Sequence, residues 1–490
     1  MVRLFIVNIL MLALPITFAF AEPWIDTRDA WLRADIEMLA DIGIISVPIT
    51  TYPLIWSGII KDIDNTSIEN VPQNYKDSFW RVKKAGGLAL TRNSRKELRL
   101  SMASSSQVLR GFGDEQREKR EISARKVGLS DSLAWNLEIT RNTDPLDGER
   151  IRYDGSYVAF VWRNWIASFG TVEKWWGSGW DSASLLSNNA RPELGMSLQR
   201  NYSNKADSSF FKWIGVWTFN SFVVQLDDER FINKVKFTGL SFTFKPHQSL
   251  EIGLRTTALW GGRERKGLVG DITNNANTNE HCVQSNDTET TEFECSEFEG
   301  DRSAGFDIRW RLPFEYPISI YTSFYDEKKT EQYPSKNKVQ YGITFASDFL
   351  ASNLKWYAEV SVIDSASVLE QAYESVSYQG RYRHYKKGIG SAYSDEYNSF
   401  SLGILGTLNK RNKFDLSLSD IELNRSKKNQ PDLADRSIKD FQRIKLDWSY
   451  RTEKIGDVMI SVEYSSELYD DLDINDDQVR VALSWTYKLK

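Results

Sequence analysis

Beyond residue 96 the chain alternates between apolar and polar positions with a period of two. Phe306, Ile308, Trp310 and Leu312 fall on one side of their segment, Asp307, Arg309 and Arg311 on the other. Trp356, Ala358, Val360 and Val362 likewise oppose Glu359 and Ser361, and the pattern returns in Ile444-Leu446-Trp448-Tyr450 and Val479-Val481-Leu483-Trp485-Tyr487, each counted at every second residue. Period two is the signature of strands with two unlike faces, and about eighteen such segments can be laid out. Short gaps (Lys245 to Ser249, Pro313 to Tyr316, Asn409 to Asn412, Arg451 to Lys454) alternate with long polar ones (Gly261 to Asp301, Asp364 to Asp395, Asn424 to Asp440). A soluble sandwich has no reason to gather its long loops at one end. A transmembrane antiparallel β-barrel does, with short turns in the periplasm and long loops outside. Residues 91–490 therefore read as an outer-membrane barrel with long extracellular loops, and an even strand number returns Lys490 to the periplasm. Only the stretch from Tyr202 to Lys234 fits the pattern poorly.

The charged residues of these strands constrain the interior. An unpaired charge facing lipid costs roughly 2–4 kcal/mol near the midplane, so the polar faces must line the lumen. Arg309, Arg311, Glu359, Lys445, Asp447, Glu463 and Arg480 are of mixed sign. That suits a filled, interlocked interior better than the one-sign lining of a selective pore.

Before the strands the period changes. Trp31, Leu32, Ile36, Leu39 and Ala40 recur at helical spacing after Asp26, the expected N-cap, and Gly43 closes the segment. A short turn is expected at Ile59 to Ile63, and a second helix from Pro72 through Lys84, ending at Gly86-Gly87. Residues 22–90 thus form a small periplasmic α-helical bundle, a candidate plug for the barrel. Residues 1–21 read as a secretory signal peptide: Arg3, an apolar run from Leu4 to Phe20, and a small-x-small site at Ala19-Phe20-Ala21.

Composition adds little to this picture but excludes several classes. A net charge of -5 offers no nucleic-acid signature. The mean hydropathy of -0.46 looks soluble only because alternation averages the membrane face away, and the 13% aromatic content suits interfacial girdles. Cys282 and Cys295 lie in the longest polar loop and, in an exported chain, read as one disulfide; the spacing does not suit a metal site. The three histidines, His247, His281 and His384, fall in unrelated connections, which argues against an enzyme, and nothing calls for a cofactor.

Two loops carry candidate chemistry. The run Glu173-Lys174-Trp175-Trp176-Gly177-Ser178-Gly179-Trp180-Asp181 continues through Asn188-Asn189-Ala190-Arg191. Indole faces stack on sugar C–H surfaces, while Asp181, Asn188, Asn189 and Arg191 supply planar hydrogen-bonding groups for hydroxyls. The alternative is that the tryptophans belong to the interfacial girdle and the amides shape a turn. The second loop interleaves Tyr382, Tyr385 and other tyrosines with Arg383 and further cations, fitting either an acidic polymer or lipopolysaccharide phosphates.

Pro23-Trp24-Ile25-Asp26-Thr27-Arg28-Asp29-Ala30-Trp31-Leu32-Arg33, Pro53-Leu54-Ile55-Trp56, and the stretch from Trp175 to Pro192 resemble the Wzi capsule-assembly proteins. The resemblance runs across the mature chain. It implies a barrel of eighteen strands over a periplasmic helical bundle, acting without catalysis as a lectin that attaches capsular or extracellular polysaccharide to the Gram-negative cell surface. Ser178 stands where the family commonly has Pro, and the chain ends Tyr487-Lys488-Leu489-Lys490, not on an aromatic residue. Partners expected are the polysaccharide, outer-membrane lipids and lipopolysaccharide, with the protein a monomer. A porin-like channel for sugars or small solutes is the competing reading.

Overall fold

The computed structural model describes residues 22–90, 94–130, 132–205, 209–227, 233–262, 282–284, 293–295, 302–328, 336–349, 352–364, 382–385, 387–393, 397–423, 440–452, 454–466 and 478–489. Among these, eighteen strands close into one antiparallel barrel. They are β1 Arg95–Ala103, β2 Arg120–Leu129, β3 Leu133–Thr143, the interrupted β4 (Ile151–Arg152 and Tyr157–Trp162), β5 Trp165–Thr171 and β6 Leu194–Arg200. Next come β7 Val216–Gln225, β8 Lys236–His247, β9 Leu250–Trp260, β10 Arg302–Arg311, β11 Ile318–Lys328 and β12 Lys336–Phe349. The last six are β13 Ser352–Asp364, β14 Tyr397–Thr407, β15 Asn412–Leu423, β16 Asp440–Thr452, β17 Gly456–Ser465 and β18 Gln478–Leu489. Every strand pairs with its neighbour in sequence, and β18 closes on β1 with Leu489 opposite Lys96. Among the described residues the sheet closes on itself and leaves no open edge strand, as a lipid-spanning wall requires.

The alternation holds as the sequence predicts. Ile444, Leu446, Trp448 and Tyr450 are exposed on the outside of β16, while Arg443, Lys445 and Asp447 are buried inside. The long connections gather at one end, here the loop end; the opposite end is the turn end. The ambiguous stretch resolves there. β7 spans Val216–Gln225, and the described residues 201–205 and 209–215 belong to an extended connection at the turn end.

Ahead of β1 lie α1 (Ala30–Asp41), α2 (Trp56–Asp64) and α3 (Lys76–Leu90). Asp29, not Asp26, caps α1, its carboxylate accepting from Leu32 N at 2.9 Å. Gly43, at φ +85°, reverses the chain beyond α1, and Ile44 N donates to Leu39 O at 2.9 Å. The expected stop at Gly86-Gly87 is overrun because α3 packs on α2 there; a Cβ on Gly86 would lie 1.8 Å from Ile60 Cδ1.

These helices sit inside the turn end of the barrel. Asp41 Oδ1 accepts from Arg309 at 2.5 Å and from Ser319 at 2.7 Å, and its Oδ2 from Lys355 at 3.1 Å. Glu251 on β9 accepts from the backbone N–H groups of Ile49 and Thr50. Burial raises the Asp41 carboxyl, but Arg309 and Lys355 outweigh it and hold the group below its usual range. Charges on strand and helix meet in a medium of low polarity, where pairs are strong and orphans costly.

Candidate functional site

Residues 172–193, between β5 and β6, fold inward from the loop end and meet the helical unit. Trp175 and Trp176 form a two-residue antiparallel ladder with Tyr52 and Thr51. Gly177, at φ +138°, then turns the chain and donates to Thr50 O at 3.0 Å. Gly179 is required by space: a Cβ there would lie 2.1 Å from Ser182 O. Arg33 of α1 donates to the carbonyls of Ser178 and Gly179, both at 2.9 Å. Its guanidinium lies 4.1 Å from the ring centroid of Trp180 and 4.6 Å from that of Phe112.

This placement removes the indole faces from any surface ligand. Trp175 and Trp176 are wholly buried, and Trp180 nearly so. Phe112 meets Trp175 edge-on, Phe222 covers Trp176, and Tyr357 stacks on Trp180 at 5.7 Å. Asp181 is also interior, accepting from Tyr393 Oη at 2.7 Å. The Asn188 carbonyl accepts from Arg110 and Arg117, and its amide reaches Thr27 at 3.4 Å. Asn189 donates to the carbonyls of Gly388 and Ala392. The predicted stacking platform is a packed joint, because the barrel is wide enough to take the loop in and its rings find covering partners there.

Asn189 also joins the two loops that the sequence singled out separately. Ser187 N donates to Ile389 O at 2.9 Å, and Ile389 N to Tyr382 O at 3.0 Å. At the top of this joint Arg191 is only partly covered. Its guanidinium binds Asp154 through Nε (3.0 Å) and Nη2 (2.9 Å), binds Asp147 through Nη1 (3.0 Å), and lies 4.5 Å from the Tyr385 ring centroid. Burial opposes the charge on Arg191, and Asp154 and Asp147 more than restore it. Tyr385 is fixed through its own N–H, which donates to Asp227 at 2.9 Å; the same carboxylate meets the buried His384 ring at 3.1 Å. Tyr382 is half-buried, donating to Thr257 at 2.8 Å with its ring edge-on to Phe237, and Arg383 is half-buried beside it.

Sequence reasoning missed Asp147 and Asp154, which flank turn glycines, and Arg33, Arg110 and Arg117, which tie the loop down. For Arg117 the dense run of charges from Asp114 to Glu121 was the available signal. Cys282 and Cys295 are opposite partners in a short backbone hairpin. Among the described residues, no cluster of three or more His, Cys, Asp or Glu is arranged to hold a metal.

A closed barrel with an inward loop and a charged, aromatic upper rim can hold a polyhydroxylated ligand at that rim without opening. The sequence model of the capsule assembly protein Wzi family matches residues 90–480. The chain belongs to that family. It is similar to the solved structure of Wzi of Escherichia coli, described as an outer membrane protein involved in group 1 capsule assembly and a carbohydrate binding β-barrel. The TM-score is 0.79 at 20% identity, covering 95% of this chain and all of that one. A Klebsiella pneumoniae relative, an uncharacterized 55.8 kDa protein of the cps region, is 23% identical over 342 residues, 68% of this chain. The match spans 64% of that relative's own length.

Proposed function

We propose that this Wzi-family chain is an outer-membrane lectin that holds capsular or extracellular polysaccharide at the cell surface and takes part in capsule assembly. It works as a non-enzymatic monomer among outer-membrane lipids and lipopolysaccharide, with its loop end outside. Residues 22–90 plug the barrel from the periplasm, after removal of residues 1–21.

The observation that carries the reading is the Arg191 rim. Asp147, Asp154, Arg191 and Tyr385 come from three separated segments to one half-exposed edge, each held by another. Paired carboxylates and a guanidinium present planar donors and acceptors in fixed directions, which is what vicinal hydroxyls require. Tyr385 adds a rigid amphipathic face. Tyr382 and Arg383 extend the edge, and Trp175, Trp176, Trp180, Asp181, Asn188 and Asn189 hold it from below. A repeating glycan meets many barrels at once, so weak single sites suffice.

The test is retention of the producing strain's purified surface polysaccharide by detergent-purified protein, beside Tyr385→Ala and Arg191→Gln variants of intact heat-modifiable folding. Losing charged hydrogen bonds costs roughly 1.5–3 kcal/mol, so the Arg191 variant should bind about tenfold or more weakly. Equal retention would move the site away from this rim. Absence of binding by the wild type would favour a channel, and shortening of the polysaccharide would revive an enzyme.

A further inference from the structure

The barrel wall is not uniform around its circumference. Over β5 and β6 it is only seven residues long, against ten to fourteen in β7 to β18. Seven residues at ~3.4 Å per residue, tilted, span roughly 18 Å, short of the ~25 Å apolar band of such barrels. Over this low sector the lipid-facing surface is hollowed, with a volume of about 670 Å³. Phe160, Phe169, Met196 and Leu198 surround it, and the small side chains of Ala167 and Ser221 deepen it.

A second feature lies directly below, at the turn end. Residues 201–205 and 209–215 belong to the connection between β6 and β7, where Tyr202 is hydrogen-bonded to Asn164 of the β4–β5 turn and Asn201 to Ser57 of the helical unit. They carry Phe211 and Trp213, the latter 62% exposed. Arg163 lies 5.3 Å from the Trp162 ring centroid, and the buried Arg200 packs 3.5 Å from that of Trp217 and donates to the Trp217 carbonyl. Lys205, bridged to Val216, and Lys212 are exposed in the β6–β7 connection. Within residues 200–217 the sequence supplies one acid, Asp207. Aromatic ledges with cations sit at the headgroup level of a bilayer. Here they sit where the wall falls short and the surface above is concave.

We propose that this sector is a binding site for one anionic phospholipid of the leaflet at the turn end. Its acyl chains fill the hollow, and its phosphodiester lies among Arg163, Lys205 and Lys212. The inference rests on the reading that the barrel spans a membrane, and is independent of any glycan.

The experiment is native mass spectrometry of the full detergent-purified chain with phosphatidylglycerol or with phosphatidylcholine of the same acyl chains. Each surface cation should favour the anionic lipid about fivefold, so wild type should retain phosphatidylglycerol preferentially. The triple variant R163Q/K205Q/K212Q should lose the preference yet still carry phosphatidylcholine. The variant A167W, which fills the hollow from a lipid-facing position, should carry less of both. Equal retention of the two lipids by wild type would overturn the proposal, as would a preference surviving in the triple variant. Unaltered retention in A167W would remove the hollow from it.

Discussion

The Trp-rich loop and the Tyr-rich loop offer similar chemistry in sequence: aromatic rings among charged and hydrogen-bonding groups. The structure separates them by what covers each ring. Trp175 is enclosed by Phe112 and the Arg33 joint, and its own Nε1 donates to Gly179 O at 3.1 Å. Tyr385 has one face against Arg191 and remains half exposed. The same residue types thus make a joint in one place and a candidate contact surface in the other. Composition names the chemistry available; only the path of the chain says whether a ring is spent on packing.

The largest effect expected from this comparison is that of Trp175→Ala. Emptying a buried indole site costs about 3–5 kcal/mol, and here it would also break the ladder to Thr51 and Tyr52. The variant should lose heat-modifiable mobility at a lower temperature and lose glycan retention with it. Tyr385→Ala should lose retention with its melting unchanged. A Trp175→Ala protein that melts like wild type but fails to bind would return the indole to the binding surface.

The fold was legible where period two repeats, because each strand has one lipid face and one lumen face, and a single residue's slip would invert both. Helix α1 shows where legibility ended. Its apolar stripe is readable, yet Arg33, Asp35, Glu37 and Asp41 on its other sides are equally buried. A helix in water keeps such residues outside; a helix wrapped by a polar lumen pairs them with the wall. The rim was half legible. Arg191 and Tyr385 could be named, but Asp147 and Asp154 approach them only when β3 to β6 assemble in the wall, and no local pattern encodes that.

Acidity divides the two ends at opposite limits. Burial raises Glu37 and Asp41, but nearby Lys355, Arg33 and Arg309 hold both below the ordinary carboxylate range. A carboxylate depressed in the folded state stabilises it above the unfolded pKa and loses that contribution as pH falls through the folded value. Release of α1 should therefore begin only below about pH 4. At the loop end, burial, aided by Arg117, pushes the Lys387 ammonium down to about 8. The unfolded chain then holds the extra proton between about 8 and the usual lysine value, so residues 382–388 should gain stability as pH rises through that window. Hydrogen exchange of the two segments at pH 3, 7 and 9 reads both signs. Release of α1 at pH 6, or weaker protection of residues 382–388 at pH 9 than at 7, would contradict this account.

The smallest effect is expected at a site that belongs to neither region. Cys282 and Cys295 are register partners in a hairpin of the connection between β9 and β10, and we expect a disulfide between them. Closing so short a loop contributes ~3 kcal/mol in the chain-entropy model, but that constraint is confined to the hairpin. Thiol labelling under denaturing, non-reducing conditions should find neither cysteine reactive. The double variant Cys282→Ser/Cys295→Ser should melt like wild type as a barrel and retain the polysaccharide undiminished, with faster proteolysis only between residues 261 and 301. Lost retention in that variant would extend the glycan-holding surface beyond the Arg191 rim, and would make loop order, as well as ring exposure, part of what distinguishes a contact from a joint.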